Sequence, residues 1–113
     1  MRAHGAVASK ALGQTETMAA VLADVMTAPI EEPLRATLLF LRKVTREHGK
    51  VTADDVRALR ALGLSRDKIE GALAVAFAFN VITRLADTFR FEIPPQRGFD
   101  TSAKMLLSRG YKM

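Results

Sequence analysis

Between Ala72 and Ile82 the chain reads ALAVAFAFNVI, and Asn80 is the only polar side chain in that stretch. A surface helix would alternate an apolar stripe with a polar face at a period of 3.6 residues, and this stretch does not. It reads instead as the middle of a long helix, roughly 66–90, buried on most of its sides. Ile69, Leu73, Ala76, Phe77 and Asn80 lie along one of its faces. Ser65 is placed to cap the start, and Glu92-Ile-Pro-Pro95 breaks the far end. A chain of 113 residues has little interior with which to surround such a helix. The apolar surface left over is expected to meet further copies of the chain, giving a homo-oligomer, a trimer or hexamer or else a dimer.

Upstream of this helix the same period recurs. Thr52-Ala-Asp-Asp55 is a capping-box variant with Asp in place of Glu; it opens a short helix carrying Val56, Leu59 and Leu62, and Gly63 is positioned to end it. Before it, a helix begins near Glu32, with Pro33 in its first turn. Leu34, Leu38, Leu41 and Thr45 share one face, and Gly49 is the expected stop. Earlier still, Thr15 or Thr17 can cap a helix with Met18, Val21, Leu22 and Val25 in a stripe, stopped by Ala28-Pro29. Residues 2–12 read as a short helix ended by Gly13. Downstream, Asp100 or Thr101 starts a final short helix through Leu107, ended by Gly110. With no repeat and no strand pair, the expectation is all-α: one compact domain over residues 1–113 with five to six helices.

The chemistry on offer is limited. There is no cysteine, which removes disulfides, thiolate metal sites and thiol mechanisms from these 113 residues. The net charge is +5, but its cations are spread along the chain. The densest group, Arg42, Lys43 and Arg46, is followed at once by Glu47, as on a solvated helix face. Nucleic acid is therefore not expected as a partner. The apolar run Ala72–Phe79 falls short of the roughly 20 residues that span a bilayer, and Met1–Gly13 is too polar for a signal sequence. The expectation is a cytoplasmic protein with no membrane partner. His4 and His48 each lack a second ligand at helical spacing, so neither a metal nor another cofactor is implied. Asn80, Arg84 and Asp87 fall at i, i+4 and i+7, a polar stripe on one face of the long helix. There Arg84 can donate to both neighbours, as a structural network or at the mouth of a pocket.

Two segments resemble the AhpD-like alkylhydroperoxidase family, the carboxymuconolactone-decarboxylase-like group in its peroxidase-related branch. In the first, Val51–Phe91, the succession VTADDV, then Ala61-Leu-Gly-Leu-Ser65, then Ala74-Val-Ala-Phe-Ala-Phe-Asn80, then Arg84-Leu-Ala-Asp87 is similar to the family's order. Thr83 stands where the family often has a second Asn. Residues 27–48 also resemble the family's Ala-Pro-Ile then Pro-Leu-Arg helix. The second segment, Ala3–Lys10, resembles the stretch at the end of the family's Cys-x-x-Cys-x-x-x-His motif and just after it, with His4 as the motif's histidine. Counting back from His4, the second cysteine would stand one residue before Met1. The resemblance therefore implies an N-terminally truncated member, or a degenerate one with another role. His4 would correspond to the family's catalytic proton relay, and peroxidase turnover, which runs through a cysteine thiolate, is not expected of these residues.

Two other readings stay open. Carboxymuconolactone decarboxylases share the resemblance without a cysteine pair, and would use a base such as His4 and a carboxylate clamp such as Arg84. A helix-turn-helix DNA-binding domain fits the spacing of Leu59, Gly63 and Ile69, with Arg66 and Lys68 opening the recognition helix. That helix turns apolar after Glu70, which suits a groove in DNA poorly.

Overall fold

A computed structural model describes residues 15–92 and 95–110. The described residues form five α-helices: α1 Thr15–Ala23, α2 Glu32–Arg46, α3 Ala53–Ala61, α4 Arg66–Phe89 and α5 Gln96–Arg109, with a 3-10 turn at His48–Lys50 between α2 and α3. The described residues contain no strand, in keeping with the all-α expectation. The helix expected over residues 2–12 lies outside the described residues, as do His4 and the segment Ala3–Lys10. Ile30–Phe91 is one compact unit; α1 and α5 belong to a second unit and are described separately.

Within Ile30–Phe91 the helix boundaries follow local chemistry. Glu31 is extended and Pro33 occupies the first turn of α2, where its missing N–H removes no hydrogen bond. Thr52 begins α3: its backbone N–H donates to Asp55 Oδ2 at 2.8 Å, as the capping-box pattern predicts. The end of α3 is a Schellman motif. Gly63 has φ +84°, its N–H donates to the Arg60 carbonyl, and the Leu64 N–H donates to the Leu59 carbonyl. Leu64 also packs against the core cluster to which Leu59 belongs, so the turn and the core form at the same place. Ser65 then caps α4 by accepting the Lys68 N–H at 3.3 Å.

The core of this unit is small. Phe40 of α2, Leu59 of α3 and Ile69 of α4 meet at its centre, with Ala36, Leu41, Val44, Val51, Leu64 and Leu73 packed around them. On α2 Phe40 alone is buried, with Ala36, Leu41 and Val44 packed against the core; of the expected Leu34-Leu38-Leu41-Thr45 face, Leu41 takes part while Leu34 and Thr45 are exposed. Lys43 of α2 reaches both carboxylate oxygens of Asp55, at 2.7 and 2.8 Å, and ties α2 to the start of α3. The Lys43 ammonium, followed by the Thr52 N–H, holds the Asp55 carboxyl below its ordinary pKa of 3.8.

Three expectations need correction. Within the unit Ile30–Phe91 the long helix is not covered on most sides. Ile69 alone of its residues is buried, while Phe77 is 71% and Phe89 66% exposed; in this unit α2 and α3 are the helices that pack on it. The helix before Pro29 ends at Ala23, short of Ala28-Pro29. There the Asp24 side chain accepts from the Met26 N–H at 2.9 Å and the Thr27 hydroxyl at 3.2 Å, a local turn that competes with the helix. The last helix starts at Gln96, before Asp100, with Pro95 extended as its cap; Gly110 does end it. As a whole, α4 is long and apolar enough to cross a membrane, with a mean hydropathy of 1.5 over 18 residues. Only 6% of that window is buried, whereas a soluble core helix that passes the same test is mostly buried.

Candidate functional site

The Ser65 cap fixes where α4 begins and thereby which side chains face α2. Asn80 and Arg84, one turn apart, come out beside Val44 and Thr45 of α2. Between the two helices is an open groove of about 380 Å³. Val44, Leu73, Ala76 and Phe77 make its apolar floor, and Thr45, Asn80 and Arg84 supply its polar groups. That volume is at the lower end of the roughly 300–1,000 Å³ range of small-molecule sites.

The polar groups form a short chain. The Asn80 side-chain amide donates to the Ala76 carbonyl at 2.9 Å, which fixes its orientation, and reaches Thr45 Oγ1 at 3.5 Å, the limit of a hydrogen bond. Arg84 Nη1 donates to the Asn80 carbonyl at 3.0 Å and to Asn80 Oδ1 at 3.2 Å. One nitrogen of the guanidinium is thereby committed. Among the described residues nothing pairs with the Nε–Nη2 edge, whose fork geometry matches a carboxylate.

Of the expected polar stripe, the structure brings Asn80 and Arg84 together. Asp87 is exposed, lies outside the groove and forms no ion pair with Arg84. With that end of α4 solvated, its carboxylate keeps its water, and an exposed pair would contribute little. Thr45 was legible only as part of an apolar stripe; its place beside Asn80 is a tertiary fact, 35 residues away in sequence. His48 lies in the 3-10 turn just after α2 and is exposed, away from the groove lining.

Among the described residues the lining has no carboxylate, imidazole or thiol. These side chains can bind and orient an anion on an apolar floor, but they supply no general base and no nucleophile. A decarboxylase reading would have to take its base from outside this lining. A second groove, about 220 Å³, runs between α2 and α3 along Phe40, Leu59 and Leu62, but its charged groups, Lys43 and Asp55, already satisfy each other. The helix-turn-helix reading keeps its connectivity, α3, a tight turn and α4. Of its two basic residues, however, Arg66 is paired to Glu70 at 2.6 Å. Among the described residues no three His, Cys, Asp or Glu side chains converge as metal ligands. No family model matches the chain, and no match was found among curated proteins or solved structures.

Proposed function

We propose that this chain is an AhpD-like helical domain, working as a homo-oligomer, that binds a small carboxylate-bearing apolar molecule and does not reduce hydroperoxides. The observation that carries the binding reading is the Arg84 guanidinium, held by Asn80 through one nitrogen, with its Nε–Nη2 edge uncommitted at the end of an apolar groove. The sequence order Val51–Phe91 supports the family assignment, and the absence of cysteine supports the lack of thiol turnover. The oligomer is supported by the apolar side chains that α4 leaves exposed.

Titration of the full chain with phenylacetate, followed by amide NMR, tests the binding. Shifts centred on Thr45, Leu73, Phe77 and Arg84 are expected, together with their loss in Arg84→Gln. Equal binding of the neutral alcohol 2-phenylethanol, or binding indifferent to Arg84→Gln, would overturn it. In the same preparation, reduction of cumene hydroperoxide by a dithiol should run at the uncatalysed rate. Saturable turnover would overturn the second half of the proposal.

A further inference from the structure

On the side of α4 turned away from Ile69 and Leu73, the residues Gly71, Val75, Ala78, Ile82, Leu85 and Phe89 succeed one another at spacings of four, three, four, three and four. This is the a/d spacing of a coiled-coil seam, averaging 3.5 residues, which keeps one face toward a partner helix over several turns. All six positions are exposed, and the four large ones are 46–66% so. The core-facing stripe Ile69-Leu73-Ala76 lies about half a turn round the helix. The seam is therefore a second apolar face that the unit Ile30–Phe91 does not use.

The order of sizes along the seam selects its occupant. Two copies run antiparallel about a twofold axis level with Asn80 put Gly71 of one against Phe89 of the other, Val75 against Leu85, and Ala78 against Ile82. Every layer then joins a smaller side chain to a larger one, in the a-to-d′ pairing of antiparallel coiled coils. A parallel pair would stack Phe89 on Phe89 and Gly71 on Gly71, leaving a clash at one end and a void at the other. The large end is reinforced, since the Phe91 ring stacks on Phe89 at a centroid distance of 6.1 Å. A lipid surface would ask only for apolarity and would impose no such complementarity.

We infer that α4 pairs antiparallel with α4 of a second copy of this chain through the Gly71-Val75-Ala78-Ile82-Leu85-Phe89 seam, leaving the Asn80–Arg84 groove open on the other side. This rests on the homo-oligomer reading above and specifies its contact. Because Arg84 projects well away from the seam, ligand binding and pairing are separable.

The chain has no cysteine, so introduced thiols report single contacts. Mild oxidation of the double variant Val75→Cys/Leu85→Cys should give a covalent dimer on a denaturing gel. Val75→Cys alone and Leu85→Cys alone should stay single chains, and a mixture of those two should cross-link. Efficient linkage of Val75→Cys to itself would overturn the antiparallel seam. In sedimentation, Ile82→Glu should weaken association by roughly 100-fold or more, because it would bury an unpaired charge. Its helical circular dichroism and phenylacetate binding should be retained, which separates lost pairing from lost folding. A wild-type chain that is monomeric at micromolar concentration overturns the oligomer and the seam together. A wild-type oligomer indifferent to Ile82→Glu overturns the seam alone. A monomer that binds phosphatidylcholine vesicles through α4 replaces the second copy with lipid and overturns the inference.

Discussion

Ile69 and Phe89 stand twenty residues apart on one helix; Ile69 is 6% exposed and Phe89 66%. The composition of α4 hardly changes between them, since both halves are rich in Ala, Val, Leu, Ile and Phe. The difference lies in what stands alongside. Within the unit Ile30–Phe91, the first half meets Phe40 of α2 and Leu59 of α3, whereas the second half has the end of α2 beside it, at Val44 and Thr45. Apolarity in this sequence therefore records a demand for burial, which the unit meets on one face of the first half, at Ile69 and Leu73, and leaves unmet in the second.

The largest expected effect is at the covered half. Ile69→Ala should destabilise by about 2–4 kcal/mol through lost transfer energy and a cavity beside Phe40 and Leu59. Ile82→Ala, measured in urea at protein concentrations low enough to suppress association, should cost less than about 1 kcal/mol. Equal costs would erase the contrast between the halves.

A smaller effect, of opposite sign, is expected where the uncovered half ends. Arg90 is the one described non-glycine residue with positive φ, at +50°. Its N–H donates to the Asp87 carbonyl, and the Phe91 N–H to the Ala86 carbonyl. The left-handed conformation costs a side chain about 1–2 kcal/mol, partly offset in a Gly variant by greater chain entropy when unfolded. Arg90→Gly should therefore stabilise by up to about 1 kcal/mol, read as a raised Tm. A fall in Tm would mean that the Arg90 side chain contributes more than its backbone strain costs.

Thr45→Val should sharpen the boundary between the halves. The Asn80–Thr45 contact is 3.5 Å long, so its loss should cost under about 0.5 kcal/mol. Hydrogen exchange should still show faster amides after Asn80 than around Ile69.

The last expectation concerns the support of the covered half and is a matter of sign. The folded Asp55 carboxyl titrates below its ordinary 3.8 because Lys43 and the Thr52 N–H favour its anion. Its contribution is present above that ordinary value and is lost as the pH falls through the lower, folded one. Asp55→Asn should lower Tm at pH 7, and the gap from the wild type should close on acidification below about pH 4. A gap that persists unchanged in acid would locate the effect in packing rather than charge.

What could be read from the sequence was what the chain settles within a few residues. The Thr52–Asp55 box, the Ser65 cap, Pro33 in a first turn and Gly63 after α3 each act over a span of four residues or fewer, and each is where the pattern puts it. Asn80 and Arg84 were legible for the same reason, being one helical turn apart. The misses come from competition and from distance. Asp24 captures its own neighbouring backbone and ends α1 early, a choice that Pro29 downstream does not reveal. Phe40 rather than Leu38 centres the core because α3 and α4 approach α2 from that side, which no period within α2 encodes. The last helix starts before the expected Asp100, with Gly98 in its first turn, where its N–H bonds the Pro95 carbonyl.

At Gly63 the backbone has φ +84°, and a Cβ placed there would meet nothing within 4 Å. The restriction on that residue is thus one of handedness and not of room. A side chain of any size has open solvent before it, while every L residue must enter the left-handed region to keep the Leu64 N–H on the Leu59 carbonyl. Asn, which tolerates that region best after Gly, is the natural residue with which to introduce a side chain at the turn. The tolerance of position 63 should rank by backbone preference and be almost blind to volume.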